Sequence, residues 1–438
     1  MLEKIKLISQ RIKSIPKEKK IKVISHFDTD GITAAAIFSK ALQRLKKKFS
    51  LQIIKNLEEK FITEINDDSV LIFLDLASNS LDYLKNKKNE IIILDHHEIT
   101  QEIPSNVSIA NPHINNDEPI SAAGIAYLCA KAISRENIDL ATLAVIGMVG
   151  DTLDQNITKT YNEIIKDSGA IVKKGPLIYP STRPLNRSLE YSTSPYIPNV
   201  TGNFKGVIEL LKEANIPREN GDYKALYELT EEEMANLTTT ILLRSTGKID
   251  TSNLIGNIYL VKHQNKLEDA RELSALINAC SRTGRTDVSL GFCLGNKKFK
   301  EEEEKIYREH KQNLIAALKY INEAEKITGR KYTIINAKNK IKDTLIGTTA
   351  SIISRSPLFE EGTIIIALAY NENKIKVSAR IAGRVGRNVR EILSKAIIPI
   401  GGEVGGHPNA AGCLIEKEKE YQFIEELKKV LDIELIKI

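Results

Sequence analysis

Four short clusters of carboxylates and imidazoles stand at the ends of apolar runs in the first third of the chain. His26-Phe27-Asp28-Thr29-Asp30-Gly31 follows the run at 21–25, Asp75 follows Leu71-Ile72-Phe73-Leu74, Asp95-His96-His97 follows Ile91-Ile92-Ile93-Leu94, and Gly150-Asp151 closes the run containing Leu143-Ala144-Val145-Ile146. Ionisable groups at the edge of a core need compensation, and bound metal is the usual one. A mixed oxygen and nitrogen donor set suits Mn²⁺ or Mg²⁺ better than the sulfur-rich shell of structural zinc. His26, Asp28 and Asp30 fall at i, i+2, i+4, which on an extended segment points them to one side. The ligand supply exceeds one ion, so two ions sharing a carboxylate is the economical reading. Such a pair, roughly 3.5–4 Å apart, can activate water and stabilise the leaving oxygen in phosphoester hydrolysis.

Each cluster alone has a plainer reading. Asp28-Thr29-Asp30-Gly31 can be a turn with a helix N-cap. Asp75 can be a loop carboxylate, Asp151 a cap, and His96 a satisfied core histidine. The plainer readings leave unexplained why all four fall at the ends of apolar runs.

The elements that must position them alternate. Residues 21–25, 51–54, 70–74 and 91–94 read as strands, and 32–45, 81–84 and 121–133 as helices. Residues 140–149 read as helix because of Ala141, Ala144 and Met148, with strand as the alternative. This alternation predicts an α/β, doubly wound, mainly parallel sheet. Ligands bind such sheets beyond the carboxyl ends of the strands, where His26, Asp28, Asp75 and Asp95 fall. An amphipathic helix is expected from Leu2, Ile5, Ile8 and Ile12. Residues 176–203 are loop-like, and Thr230-x-x-Glu233 is a capping box opening a helix over 230–244. Residues 254–261 and 288–293 read as strands flanking a helix at 267–281. A helix over 298–328, about 45 Å long, reads as a bridge between domains or as an ordinary packed helix. The remainder is expected to be a smaller α+β domain, with strands at 332–336, 363–369 and 374–381, helices at 345–353 and 389–396, and a glycine-dense segment at 401–412. The domain expectation is therefore 1–200, a connector at 201–297, the linker helix at 298–328, and a C-terminal domain at 329–438.

The 438 residues suit two or three domains. A composition 42% hydrophobic and 27% charged is ordinary for globular proteins, and a net charge of +6 weakly favours an anionic partner. Cys129, Cys280, Cys293 and Cys413 form no C-x-x-C pair, which argues against a zinc ribbon or disulfide framework and for reduced thiols in a cytoplasmic protein. No apolar run approaches about 18 residues, so no membrane span is expected, nor does the N-terminus read as a signal peptide. With 5% aromatic residues and no Trp, no base-stacking platform is evident.

With these motifs in order, the sequence resembles the DHH phosphoesterase superfamily, and within it the archaeal RecJ-like single-strand exonucleases. Gly405-Gly406-His407-Pro408-Asn409-Ala410-Ala411-Gly412 resembles the GGH-x-x-AAG signature of the family's DHH-associated C-terminal domain. Similarity extends to residues 183–202, 273–295 and 343–353. The resemblance implies His26 and Asp28 as ligands of one metal, Asp30, His96 and Asp151 as ligands of a second, and Asp75 as a bridge. It implies His97 as a phosphate contact and Asp95 as the carboxylate orienting a neighbouring imidazole. Arg380 matches the family's strand-borne phosphate-binding arginine, with Gly405, Gly406 and His407 beside it as substrate-binding residues. Arg384, Arg387 and Arg390 either extend a cationic track or form a solvated basic face. Many bacterial RecJ proteins carry Asp where His26 stands, a departure that bears on metal preference.

The activity implied is Mn²⁺- or Mg²⁺-dependent, two-ion exonuclease hydrolysis of single-stranded DNA or RNA to mononucleotides, the strand entering between the first and last domains. The alternatives are a phosphodiesterase for short oligonucleotides or cyclic dinucleotides, and a non-catalytic replisome scaffold. Implied partners are single-stranded nucleic acid and replication or repair proteins, GINS or a helicase or nuclease among them, with homo-oligomerisation left open.

Overall fold

The computed structural model describes residues 1–193, 195–244, 254–356, 358–383, 385–402 and 404–433. Arg384, named above with Arg387 and Arg390, lies outside the described residues, as does Glu403 in the glycine-dense segment. The chain divides into two units. The first comprises Met1–Lys173 and Asn257–Glu309; the second comprises Lys174–Gly256 and the chain from His310 onward.

In the first unit, strands β1 (Ile21–His26), β2 (Phe49–Ile54), β3 (Val70–Leu74), β4 (Ile91–Leu94) and β5 (Val107–Ala110) form an all-parallel sheet in the order β2-β1-β3-β4-β5. Alternate residues feed two cores. Val23, Ile72, Leu74, Ile92 and Leu94 pack with helices α1 (Leu2–Ser14), α2 (Thr29–Arg44), α3 (Ala122–Ile133) and α4 (Ala141–Gly150). Ile24, Leu71, Phe73, Ile91 and Ile93 pack with Ile62, Leu81 and Leu84 on the other face. Burial on both faces explains why β3 and β4 read as continuous apolar runs, every residue buried. This strand order reverses direction between β1 and β3, and the crevice beyond the strand ends at that reversal is where such sheets bind ligands.

After residue 256 the first unit is completed by the antiparallel pair β6 (Ile255–His263) and β7 (Lys266–Asp269), helix α5 (Ala270–Arg282), helix α6 (Thr286–Cys293) and the start of α7 (Lys297–Glu323). The second unit has a six-stranded mixed sheet. Its strands are β8 (Ile327–Gly329), β9 (Tyr332–Asn336), β10 (Ile364–Asn371), β11 (Lys374–Ile381), β12 (Val404–His407) and β13 (Ala410–Glu416), ordered β8-β9-β10-β11-β13-β12. Helix α8 (Asp343–Ser354) and the Leu314–Ile321 stretch of α7 cover one face, while α9 (Val389–Ile397) and α10 (Glu420–Ile433) cover the other. No helix among the described residues is long and apolar enough to cross a membrane.

Several local expectations change. Residues 288–293 belong to helix α6 rather than a strand, since a six-residue apolar run does not by itself distinguish the two. Residues 267–269 lie in β7, and α5 starts only at Ala270, where the Asp269 carboxylate accepts the Arg271 N–H at 2.8 Å. The long helix stops at Glu323, and residues 327–329 pair as β8. Strand β5, only four residues long, is absent from the expected strands. Residues 26–30 are not one extended segment either: α2 begins at Thr29, and Asp28 is its N-cap, accepting the Gly31 N–H at 3.0 Å. The capping box at Thr230 is present, with reciprocal bonds of 2.8 and 3.2 Å to Glu233.

Close approach of α2, α3 and α4 depends on Gly147. A Cβ there would lie 2.5 Å from Ala123 Cβ and 2.7 Å from Asp30 Oδ1. Gly147→Ala is therefore expected to lower the unfolding free energy by about 1–3 kcal/mol despite the better helix propensity of alanine. Urea denaturation measures the loss, and wild-type stability would show that the three helices can part without cost.

Candidate metal centre

The crevice between β1 and β3 gathers the clusters. His26 ends β1, Asp75 follows β3, Asp95 follows β4, and Asp151 follows α4. Asp28 divides its carboxylate: Oδ1 caps α2, and Oδ2 lies 3.1 Å from His26 Nδ1. Asp28 is thus the N-cap of the plainer reading and still presents its second carboxylate oxygen to His26. Asp30, inside the first turn of α2 and 2% exposed, accepts the N–H groups of Ala122 and Ala123 at the N-terminus of α3, at 2.6 and 3.0 Å. A helix N-terminus is a favourable seat for a buried anion.

Asp75 is the focus. It is 2% exposed and sits at φ +60°, a left-handed conformation that turns the chain sharply at the strand end. Its Oδ2 lies 3.3 Å from His26 Nδ1, and its Oδ1 lies 3.3 Å from His96 Nε2. Neither contact is aligned as a hydrogen bond, so both buried oxygens lack a partner, as does His26 Nδ1. Buried polar atoms almost always have partners. Three such atoms converging on one point form a donor set that fits a divalent cation.

Two ligand groups are close enough to hold an ion: His26, Asp28 and Asp75, and Asp30, His96 and Asp151. His96 reaches Asp30 at 3.8 Å and Asp151 at 3.5 Å as well as Asp75. A third grouping, Asp75 with Asp95, His96 and His97, is also compact. Asp95, however, is already committed. Its Oδ1 accepts from His96 N at 2.8 Å and His97 N at 3.3 Å, and Oδ2 accepts from Ser78 N at 3.0 Å. His97 Nδ1 lies 2.8 Å from the same Oδ1. Asp95 therefore shapes the turn and orients His97, leaving the other ring nitrogen of that half-exposed imidazole available. Asn111, at the end of β5, ties the turn down through Ser78 Oγ at 2.9 Å and the His97 carbonyl at 2.8 Å. Sequence reading missed Asn111, although the same signal, a polar residue closing an apolar run, was present at Val107-Ser108-Ile109-Ala110.

Electrostatics reflect the crowding. Burial, then the charge of Asp30, push Asp75 up to about 7, and the same two causes push Asp151 to about 7. Burial also raises Asp30, against the pull of His96. For His26, burial opposes the charged form, but Asp28 and Asp75 outweigh it and lift the imidazole to about 10. Burial is likewise overcome at His96 by Asp75 and Asp30, giving about 10. Asp95 stays at about 2 because His97 and the Ser78 groups overcome its burial.

In the second unit, Arg380 on β11 pairs in register with Ala410 on β13, and Ala410 pairs with His407 on β12. Residues opposite one another share a sheet face, so Arg380 and His407 lie in one row. Gly405 and Gly406 are exposed beside it, Gly406 at φ +120° and so close to Ala410 that a Cβ would fall 2.4 Å from its carbonyl oxygen. The glycine-dense segment thus forms a hairpin from Val404 onward. Arg380 donates to Ser351 Oγ at 2.8 Å and to the Ala379 and Ala411 carbonyls at 2.8 and 3.3 Å. Burial and the nearby Arg355 lower its pKa. The Arg380 guanidinium, held against neutral oxygens with Arg355 nearby, forms an anion-receptive spot. Arg387 is turned inward, donating to the Leu431 carbonyl at 2.8 Å.

Residues 20–148 match the model of the DHH family N-terminal domain, 178–253 that of the DHH-CID domain, and 331–432 that of the DHHA1 domain. The chain belongs to the DHH family, as a RecJ-like member. An uncharacterized protein of Methanocaldococcus jannaschii is 28% identical over 99% of this chain and 100% of its own length. The single-stranded-DNA-specific exonuclease RecJ of Bacillus subtilis is 27% identical over 34% of this chain, a match spanning 21% of that protein. Among solved structures, exonuclease RecJ bound to manganese superposes with a TM-score of 0.61 at 16% identity, covering 97% of this chain and 93% of that one. CDC45 from Entamoeba histolytica gives 0.70 at 13% identity, covering 98% and 99%. At such identities these likenesses speak for the fold.

In metal-free protein, Asp75, Asp151, His26 and His96 all titrate above their ordinary values. The folded state therefore holds more protons than the unfolded one between about pH 4 and about 10, and these groups make stability fall as pH rises through that window. Asp28 and Asp95, each held at about 2, act below it. Divalent metal competes with the same protons, so it binds better as pH rises. Melting in EDTA should show Tm falling between about pH 6.5 and about pH 8.5, with Mn²⁺ restoring more stability at the higher pH. A Tm in EDTA that rises across this range would contradict the crowding of charge described here.

Proposed function

We propose that this protein is a two-metal, Mn²⁺- or Mg²⁺-dependent exonuclease that hydrolyses single-stranded nucleic acid to mononucleotides. The observation that carries the reading is Asp75, whose unpartnered carboxylate oxygens face His26 of one ligand group and His96 of the other. His26, Asp28 and Asp75 would hold one ion, and Asp30, His96, Asp151 and Asp75 the second. Bound there, the metal ions would supply Lewis-acid activation of water and neutralise charge on a phosphodiester.

The chain's own groups supply the rest. Asp95 holds His97 at 2.8 Å and raises its pKa, which favours an imidazolium with one nitrogen free to donate to a phosphate oxygen. The row of Arg380 and His407, with the backbone of Gly405 and Gly406, offers a further phosphate seat. The B. subtilis relative's description as single-stranded-DNA-specific, and the manganese in the solved RecJ structure, support the choice of substrate and ion. A scaffold role has the CDC45 likeness behind it. The complete ligand set favours the enzyme.

The test is digestion of 5′- and 3′-labelled single strands, DNA and RNA in parallel, with Mn²⁺. Asp75→Ala and Asp151→Ala should each lose at least about a hundredfold in rate, since even residues that only orient metal ligands cost 10–100-fold. Wild-type protein that leaves all substrates intact would overturn the enzyme reading, and an active Asp75→Ala protein would overturn the ligand assignment. Arg380→Ala should raise KM about tenfold with kcat nearly unchanged, as expected for a charged hydrogen bond made equally to substrate and transition state.

A further inference from the structure

Helix α5 touches the segments carrying ligands of both groups. Thr29 separates Asp28 from Asp30 and is 1% exposed. It opens α2, so its N–H is one of the donors that an α-helix leaves without an internal acceptor. Asn278 Oδ1 of α5 accepts that N–H at 3.2 Å. One turn earlier, the Ser274 carbonyl accepts Thr29 Oγ1 at 3.0 Å. The orientation of the Asn278 amide follows from chemistry, because a peptide N–H can only face the amide oxygen. On the other side of the centre, Arg271 of the same helix pairs with the buried carboxylate of Asp154, three residues beyond Asp151. Tyr259 OH donates to the Asp154 carbonyl at 3.2 Å. There is no slack between these parts: a Cβ on Gly150 would lie 2.7 Å from Thr29 Cβ and 3.1 Å from Ser274 Oγ.

Asp28 and Asp30 belong to different ligand groups, and the Thr29 peptide is the hinge between them. A small rotation there would swing both carboxylates at once. We propose that Asn278 is a positioning residue for the metal centre: by accepting the Thr29 N–H it fixes the separation of Asp28 and Asp30, and with it the spacing of the two ions. This rests on the two-metal reading given above. The Asn278 amide oxygen is committed to the Thr29 N–H. Its effect passes through the backbone.

The full-length protein, Asn278→Ala and Asn278→Asp are titrated with Mn²⁺ in the absence of substrate, and the exchange-coupled signal of a Mn²⁺ pair is followed by electron paramagnetic resonance. Asn278→Asp keeps the acceptor oxygen; Asn278→Ala removes it. In Asn278→Ala, the second ion is expected to bind about tenfold more weakly, the scale of one hydrogen bond, so that the coupled signal is lost at the Mn²⁺ concentration that just saturates the wild-type pair. Its kcat should fall while KM stays at the wild-type value. Asn278→Asp should restore the pair. A wild-type Mn²⁺ pair in Asn278→Ala, or an unchanged pair with raised KM, overturns the proposal, the latter because it makes Asn278 a substrate contact. An Asn278→Asp protein that folds and lacks the pair overturns it too, which keeps the test decisive should Asn278→Ala fail to fold. If wild-type protein binds no second Mn²⁺, the two-metal reading falls and the positioning role with it; if only Asn278→Ala matches wild type, the positioning role alone falls.

Discussion

Buried negative charge governs the first unit. Asp30, Asp75 and Asp95 are each 2% exposed or less, and a carboxylate in that environment ionises only where something offsets its lost hydration. Two of the three are offset by backbone. The first two N–H groups of α3 face Asp30, and the N–H groups of Ser78, His96 and His97 surround Asp95. Asp75 receives no such help, only two imidazoles that stand close without forming aligned hydrogen bonds. Where the surrounding elements stop satisfying charge is as informative as where they satisfy it.

Topology decides where that deficit falls. A parallel sheet ordered β2-β1-β3-β4-β5 opens a crevice past β1 and β3. The left-handed backbone at Asp75 turns the chain within one residue of the last strand position and brings its carboxylate into that crevice. Glycines without room for a side chain, Gly147 against Asp30 and Gly150 against Thr29, let α4 come close enough for Asp151 to join the set. Substituting either would affect packing and site together.

Much of this was legible in the sequence because apolar runs of four or five residues, flanked by charge, leave few choices. The parallel sheet, the carboxyl-end placement of His26, Asp28, Asp75 and Asp95, and the helical state of Ala141–Gly150 all follow from such runs. The expectation for residues 26–30 placed the side chains together for the wrong local reason. Period-two reasoning assumed extended backbone, whereas the Asp28 cap starts a helix and Asp30 reaches inward from its first turn. The strand expected at 288–293 failed because Val, Leu and Phe in a short run suit either state. What could not be read at all was long-range: that Asn278 would meet Thr29, Asn111 would hold the His97 turn, and Arg271 would meet Asp154. Those pairings are set by the packing of α5 and β5, and no local pattern encodes a partner 249 residues away.

The first unit is interrupted: the chain leaves it after Lys173 and rejoins it at Asn257. Every residue of the three compact ligand groups lies at or before Asp151, while the acceptor for Thr29 lies at position 278. On the ribosome the chain emerges from its N-terminus. A growing chain thus displays the complete set of acidic and imidazole side chains well before α5 exists to steady them. The order of synthesis separates having these side chains from having the helix that packs against them.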